Sequence, residues 1–210
     1  MANTTKRGRV AREDVVNAIL SGIQKAHKDY YRMSGGLWMW HGPEYWVTTY
    51  VAKALWKICG DGTVVAEEGS SKMMKGAGRK QGRPSQIVRG KRFDIALYFA
   101  NGEPRAPIEI KNQGSSEGVL KDVKRMLAAL RESRLLFGAV AYCYSKEGGK
   151  QKNAQEKVKD YGKNLSEKAK SLAAKDGCSA ESKICVSGDA ADAWLAGCIL
   201  LERKPGNKRG

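Results

Sequence analysis

Arg92-Phe93-Asp94-Ile95-Ala96-Leu97-Tyr98-Phe99 and Ala106-Pro107-Ile108-Glu109-Ile110-Lys111, joined by a stretch containing Asn101-Gly102, decide how this chain is read. Asn-Gly between two apolar runs is a hairpin signal, even where the loop exceeds two residues. Alternate side chains of a strand share a face, so Glu109 and Lys111 point one way and Ile108 and Ile110 the other. If the two runs pair, Asp94 lies beside Glu109 on the neighbouring strand. Two carboxylates and one ammonium then converge on a single spot. Adjacent acids repel, and a divalent cation bound by both relieves the repulsion.

The tripeptide alone carries little weight. Acid-x-Lys occurs four times: Glu109-Ile-Lys111, Asp122-Val-Lys124, Glu181-Ser-Lys183 and Glu202-Arg-Lys204. Only the first lies in a strand-like run that follows another run carrying an acid. Asp122 falls in a predicted helix, Glu181 in a predicted loop, and Glu202 where the basic tail opens.

Working outward, the spacing of Val15, Val16, Ile19, Leu20, Ile23, His27 and Tyr30 predicts an amphipathic helix from Arg12 to about Arg32. Gly42-Pro43-Glu44 reads as the start of a second helix, running to about Ile58 with Val47, Val51 and Leu55 on one face. Trp38, Trp40 and Trp46 read as core between these helices, with base stacking as the other reading. Thr63–Glu67 is a short strand. Downstream of the hairpin come a helix over Ser116–Arg131, a strand over Leu136–Tyr144, a lysine-rich helix over Asn153–Ala174 and a strand over Ala193–Leu201. The expected fold is α/β: a single domain over 11–202 with a mixed central sheet flanked by helices. A basic N-terminus (1–10) is expected to be flexible, and a basic tail (203–210) closes the chain.

The chain has 210 residues with 38 Lys plus Arg against 22 Asp plus Glu, a net charge of +16, and 41% hydrophobic residues. That balance excludes a disordered basic arm and points to a polyanionic partner, nucleic acid ahead of membrane. No apolar run approaches the roughly 18 residues of a membrane span, and the first residues lack a signal-peptide core, so a cytoplasmic location is expected. Five scattered cysteines form no C-x-x-C pair, and only His27 and His41 are present. Zinc and a Ser-His-Asp triad therefore have little support, and carboxylate-held magnesium, or manganese, is the metal expected. The segment 69–91, read as a loop, together with Arg92 holds eight cations and no acid: Lys72, Lys75, Arg79, Lys80, Arg83, Arg89, Lys91 and Arg92. These are the candidate nucleic-acid contacts.

Asp94, Glu109 and Lys111 in this order of elements resemble the PD-(D/E)XK nucleases of restriction-endonuclease-like fold. The αβββαβ core of that family is matched over residues 43–144, with an N-terminal helix before it and a helix-strand extension after it. The resemblance implies that Asp94 and Glu109 hold the metal and that Lys111 is the lysine of the motif. It also implies that Glu44 is the acid many members contribute from the preceding helix. Glu67 and Glu68 are rivals for that supporting role, and Phe93 stands where the family's name has proline. The implied activity is metal-dependent endonucleolytic hydrolysis of DNA leaving a 5′-phosphate, with Lys111 assisting the attacking water or the transition state. RNA is the alternative substrate, and a homodimer would suit cutting of both strands. The competing readings are a non-catalytic nuclease-fold DNA- or RNA-binding protein and a basic ribonucleoprotein component. Gln113 is expected to be solvated.

Overall fold

Val15, Val16, Ile19, Leu20 and Ile23 are all buried along one face of α1 (Arg12–Met33). The computed structural model describes residues 10–78, 85–113, 115–149 and 153–204. The remaining elements are α2 (Glu44–Ile58), β1 (Thr63–Gly69), α3 (Ser70–Gly76), β2 (Arg92–Tyr98), β3 (Pro104–Lys111), α4 (Ser116–Glu132), β4 (Phe137–Glu147), α5 (Ala154–Lys175), β5 (Cys178–Gly188) and β6 (Asp192–Arg203). A 3-10 turn, Met39–His41, leads into α2.

The six strands form one mixed sheet in the order β1-β2-β3-β4-β6-β5. β3 and β4 are its parallel pair, and α4 supplies the crossover that such a pair requires. Strand alternation sorts the core into two layers. Ile95, Leu97, Ile108, Ile110, Ala139 and Ala141 pack with α1 and α2, while Ala96, Val140, Tyr142 and Leu195 pack with α3, α4 and α5. Helix starts follow their caps: Ser115 Oγ accepts from Gly118 N at 3.1 Å, and Asn153 and Glu156 form a reciprocal capping box.

Several expectations need correction. The chain adds an eleven-residue strand, β5, so Glu181 lies in a strand and not in a loop, and the extension after the core is helix-strand-strand. Glu202 sits within β6, ion-paired to Arg12 at 2.9 Å, and does not open the tail. The segment 69–91 is not simply a loop, since α3 occupies its beginning. Met73 and Met74 are buried there, and Ser70 Oγ donates towards Val88 O and Lys91 O. β1 runs two residues further than expected, to Gly69. The expectations for 1–9, Arg79, Lys80, Arg83, 205–210 and the Trp40 side chain lie outside the described residues. Among the described residues no helix is long and apolar enough to cross a membrane.

β4 and β6 pair over eleven residues, with Gly197 directly opposite Tyr142. The Tyr142 ring lies where a Cβ on Gly197 would fall, so this glycine is required by close approach. Gly197→Ala is expected to cost about 2 kcal/mol from overpacking, read as a lowered urea midpoint. An unchanged midpoint would refute this packing account.

His27 fastens α1 to β6, its ring stacked on Trp194 at 4.0 Å between centroids and edge-on to Trp38 at 5.7 Å. Burial among these rings lowers its pKa from 6.5 to about 4. The unfolded chain therefore binds the extra proton first. This contribution is intact above pH 6.5 and is lost as pH falls towards 4. Between neutral pH and pH 4 the wild type is expected to lose about 2 kcal/mol more than His27→Gln. Equal losses in urea titrations of the two proteins would contradict it.

Candidate active site

β2 and β3 pair in the register Ile95↔Ile108, and one step further along places Asp94 beside Glu109. The ladder changes character here. Asp94 Oδ2, a side-chain acceptor, takes the hydrogen bond of Ile110 N at 2.6 Å. The two acids face each other across the strand pair, and Asp94 helps to raise the pKa of Glu109. The Glu109 side chain is 1% exposed, and its Oε1 has no hydrogen-bond partner among the described residues.

Lys111 shares the face of Glu109 at the end of β3. Its Nζ lies 3.5 Å from Glu44 Oε2 and 3.7 Å from Asp122 Oδ2. Glu44 is the first residue of α2, and the same Oε2 accepts from Asn112 N at 3.0 Å. Asn112 Nδ2 then donates to Met39 O at 3.0 Å and Gly42 O at 2.9 Å, tying the turn before α2 to the end of β3. Glu44 is thus brought into the cluster by its backbone neighbours as well as by charge.

Two participants come from α4 and were not expected. Asp122 and Arg125 lie one turn apart on the side of α4 that meets β3, with Asp122 Oδ1 and Arg125 Nη2 3.4 Å apart. Arg125 also ion-pairs with Glu109. In the sequence this is an ordinary helical i, i+3 pair of opposite charges. The available signal was its place beside Val119, Val123 and Met126, the buried stripe of the helix.

Electrostatics follow from burial. Burial raises Glu109 to about 10; Arg125 opposes the shift, and Asp94 and Asp122 add to it. Asp94 is also raised, first by burial and then by Glu44, against the Ile110 N–H bond and Arg125. Asp122 is raised by burial in spite of Lys111 and Arg125. Burial alone would lower Lys111, yet Asp122, Glu44 and Asp94 together raise it. Lys111 is therefore an ammonium at neutral pH, fit to donate to an oxyanion and unfit to accept a proton.

The rival acids are placed otherwise. Glu68 is buried and held by Tyr98 Oη at 3.0 Å and Lys72 Nζ at 3.3 Å, while Glu67 is exposed with φ at +54°. Gln113 is exposed, as expected. Of the expected nucleic-acid contacts, Lys72, Lys75, Arg89, Lys91 and Arg92 are exposed; Arg92 opens β2 two residues before Asp94.

Among the described residues no three Asp, Glu, His or Cys side chains converge as a complete metal cage. What converges is one pair, Asp94 and Glu109, with an unspent buried oxygen on Glu109. That donor set fits magnesium, which is held by one or two carboxylates and completes its shell with water and phosphate oxygens. It does not fit a closed zinc site. The chain matches no family model, no curated protein and no solved structure.

The Asn112 side chain is the tie on which Glu44's position rests. Asn112→Ala strands two carbonyls and is expected to cost about 2 kcal/mol. Asn112→Asp, which faces those carbonyls and Glu44 with a negative charge, is expected to cost more. Urea denaturation ranks the three proteins. An Asn112→Asp variant as stable as wild type would remove this tie from the account.

Proposed function

We propose that the chain is a magnesium-dependent endonuclease that hydrolyses DNA phosphodiester bonds, with a restriction-endonuclease-like core. The observation that carries the proposal is the facing pair Asp94 and Glu109, with an unpartnered buried oxygen on Glu109 and with Lys111 two residues along the same strand face. The order α2-β1-β2-β3-α4-β4, interrupted only by the short α3, supports the core assignment. A cluster of perturbed acids is also what an active site requires.

In this reading Asp94 and Glu109 hold the metal, which supplies Lewis-acid polarisation of the phosphate and a lowered pKa for the attacking water. Lys111 donates to a non-bridging phosphate oxygen and so offsets the charge that builds there as the water oxygen bonds to phosphorus and the P–O bond to the leaving strand breaks. Glu44 and Asp122 keep Lys111 charged and aimed. Lys72, Lys75, Arg89, Lys91 and Arg92 take neighbouring phosphates, giving sequence-independent affinity that falls with salt.

One observation favours the non-catalytic reading, in which the fold grips DNA or RNA without cutting it: Arg125 already engages Glu109. Nicking of supercoiled DNA with and without magnesium separates the two. Wild type is expected to cut only with metal, while Asp94→Asn and Lys111→Ala lose about 100-fold or more and still bind DNA. Tight binding with no cleavage of supercoiled, linear or branched DNA would establish the alternative. Replacing Arg89, Lys91 and Arg92 by Gln is expected to flatten the salt dependence of DNA binding by about 0.9 in log–log slope per lost phosphate contact.

A further inference from the structure

Four acids and two bases meet at the end of β3, and along most of the cluster they alternate. Arg125 lies between Glu109 and Asp122, and Lys111 lies between Asp122 and Glu44. The run is Glu109, Arg125, Asp122, Lys111, Glu44. At Asp94 and Glu109 the alternation fails, because Asp94 faces Glu109 from the neighbouring strand and, among the described residues, has no ion pair of its own. A divalent cation has its strongest electrostatic reason to enter there.

We infer that Arg125 takes the place of a second metal ion: the site accepts one divalent cation, at Asp94–Glu109, and the Arg125 guanidinium fills the position between Glu109 and Asp122. This deepens the metal-dependent reading above and rests on it. Two carboxylates from different elements, one on β3 and one on α4, face the same point, which is the arrangement that would clamp another ion. The chain meets them instead with a positive charge covalently fixed to α4. Arginine suits the task, being planar, always charged and able to bridge two carboxylates. The buried surroundings make that bridge matter. The Arg125 side chain is 18% exposed, that of Asp122 11% and that of Glu109 1%. Asp122 Oδ2, 3.7 Å from Lys111 Nζ, and Arg125 Nε are buried without a hydrogen-bond partner among the described residues, so the bridge does not use all of its bonding capacity.

A salt bridge that merely braces α4 against β3 would behave differently. Removing Arg125 from it would lower stability and leave metal stoichiometry untouched. Removing a surrogate cation instead leaves Glu109 and Asp122 with no positive charge between them, Lys111 remaining only on the far side of Asp122, and a second ion enters.

The test counts bound Mn2+ on the purified chain, by electron paramagnetic resonance of free Mn2+ and by equilibrium dialysis. Wild type is expected to bind one ion, lost in Asp94→Asn. Arg125→Met is expected to bind two, the first about tenfold more tightly because the guanidinium no longer competes for Glu109. Arg125→Lys keeps the charge and is expected to bind one. The double variant Arg125→Met with Asp122→Asn returns to one. Two ions on wild type overturn the inference, even if Arg125→Met does not fold. One ion of unchanged affinity on a folded Arg125→Met also overturns it. Either result leaves the metal-dependent reading standing. No Mn2+ bound by wild type overturns both.

Discussion

Two carboxyl groups held side by side on adjacent strands, Asp94 and Glu109, are the constraint from which the rest of this molecule's polar architecture follows. Burying one acid is costly, and burying two together is costlier unless something positive or a proton is shared between them. The surrounding residues read as answers to that cost. Ile110 offers its backbone N–H to Asp94, Arg125 reaches Glu109 from α4, and Lys111 sits two residues on between Glu44 and Asp122. Four acids against two bases still leave a deficit of positive charge. Burial, with Asp94 and Asp122 beside it, pushes Glu109 up to about 10, which favours its neutral form and eases that deficit.

Packing turns this electrostatic arrangement into geometry. Strand register sets Asp94 against Glu109, the α4 crossover carries Asp122 and Arg125 over the same strand end, and Asn112 anchors the turn that delivers Glu44. None of these elements owns the site. It exists where β2, β3, α2 and α4 come within reach of one another.

Much of this was legible in the sequence because it rests on periodicity. The hairpin, its facing acids and Lys111 follow from alternation, and α1, α2, α4 and α5 from helical spacing. Glu44 was named only through the family resemblance, its place at a helix start having a capping explanation of its own, and it does reach Lys111. The failures have physical causes. β5 carries Ser, Glu, Ser and Lys among its apolar residues because it is an edge strand, so its alternation of Cys178, Ala180 and Ile184 was masked. The short helix α3 hid in a glycine-rich, basic neighbourhood, although Met73-Met74 marked a buried point. Asp122 and Arg125 were illegible for a different reason. A helical ion pair looks the same on a solvated face as beneath a strand end, and only tertiary packing separates the two.

The bonds that assemble the site differ greatly in the length of chain they close. Asp94 and Ile110 are 16 residues apart, whereas Glu44 and Asn112 are 68 apart, and Asn112 and Met39 are 73 apart. Closing the longer loops costs more chain entropy and waits for α1 and α2 to dock, while the β2–β3 hairpin can form locally. Facing acids are thus set in place before the residues that complete their surroundings arrive. Completing this site therefore demands long-range closures that the β2–β3 pairing beneath it does not.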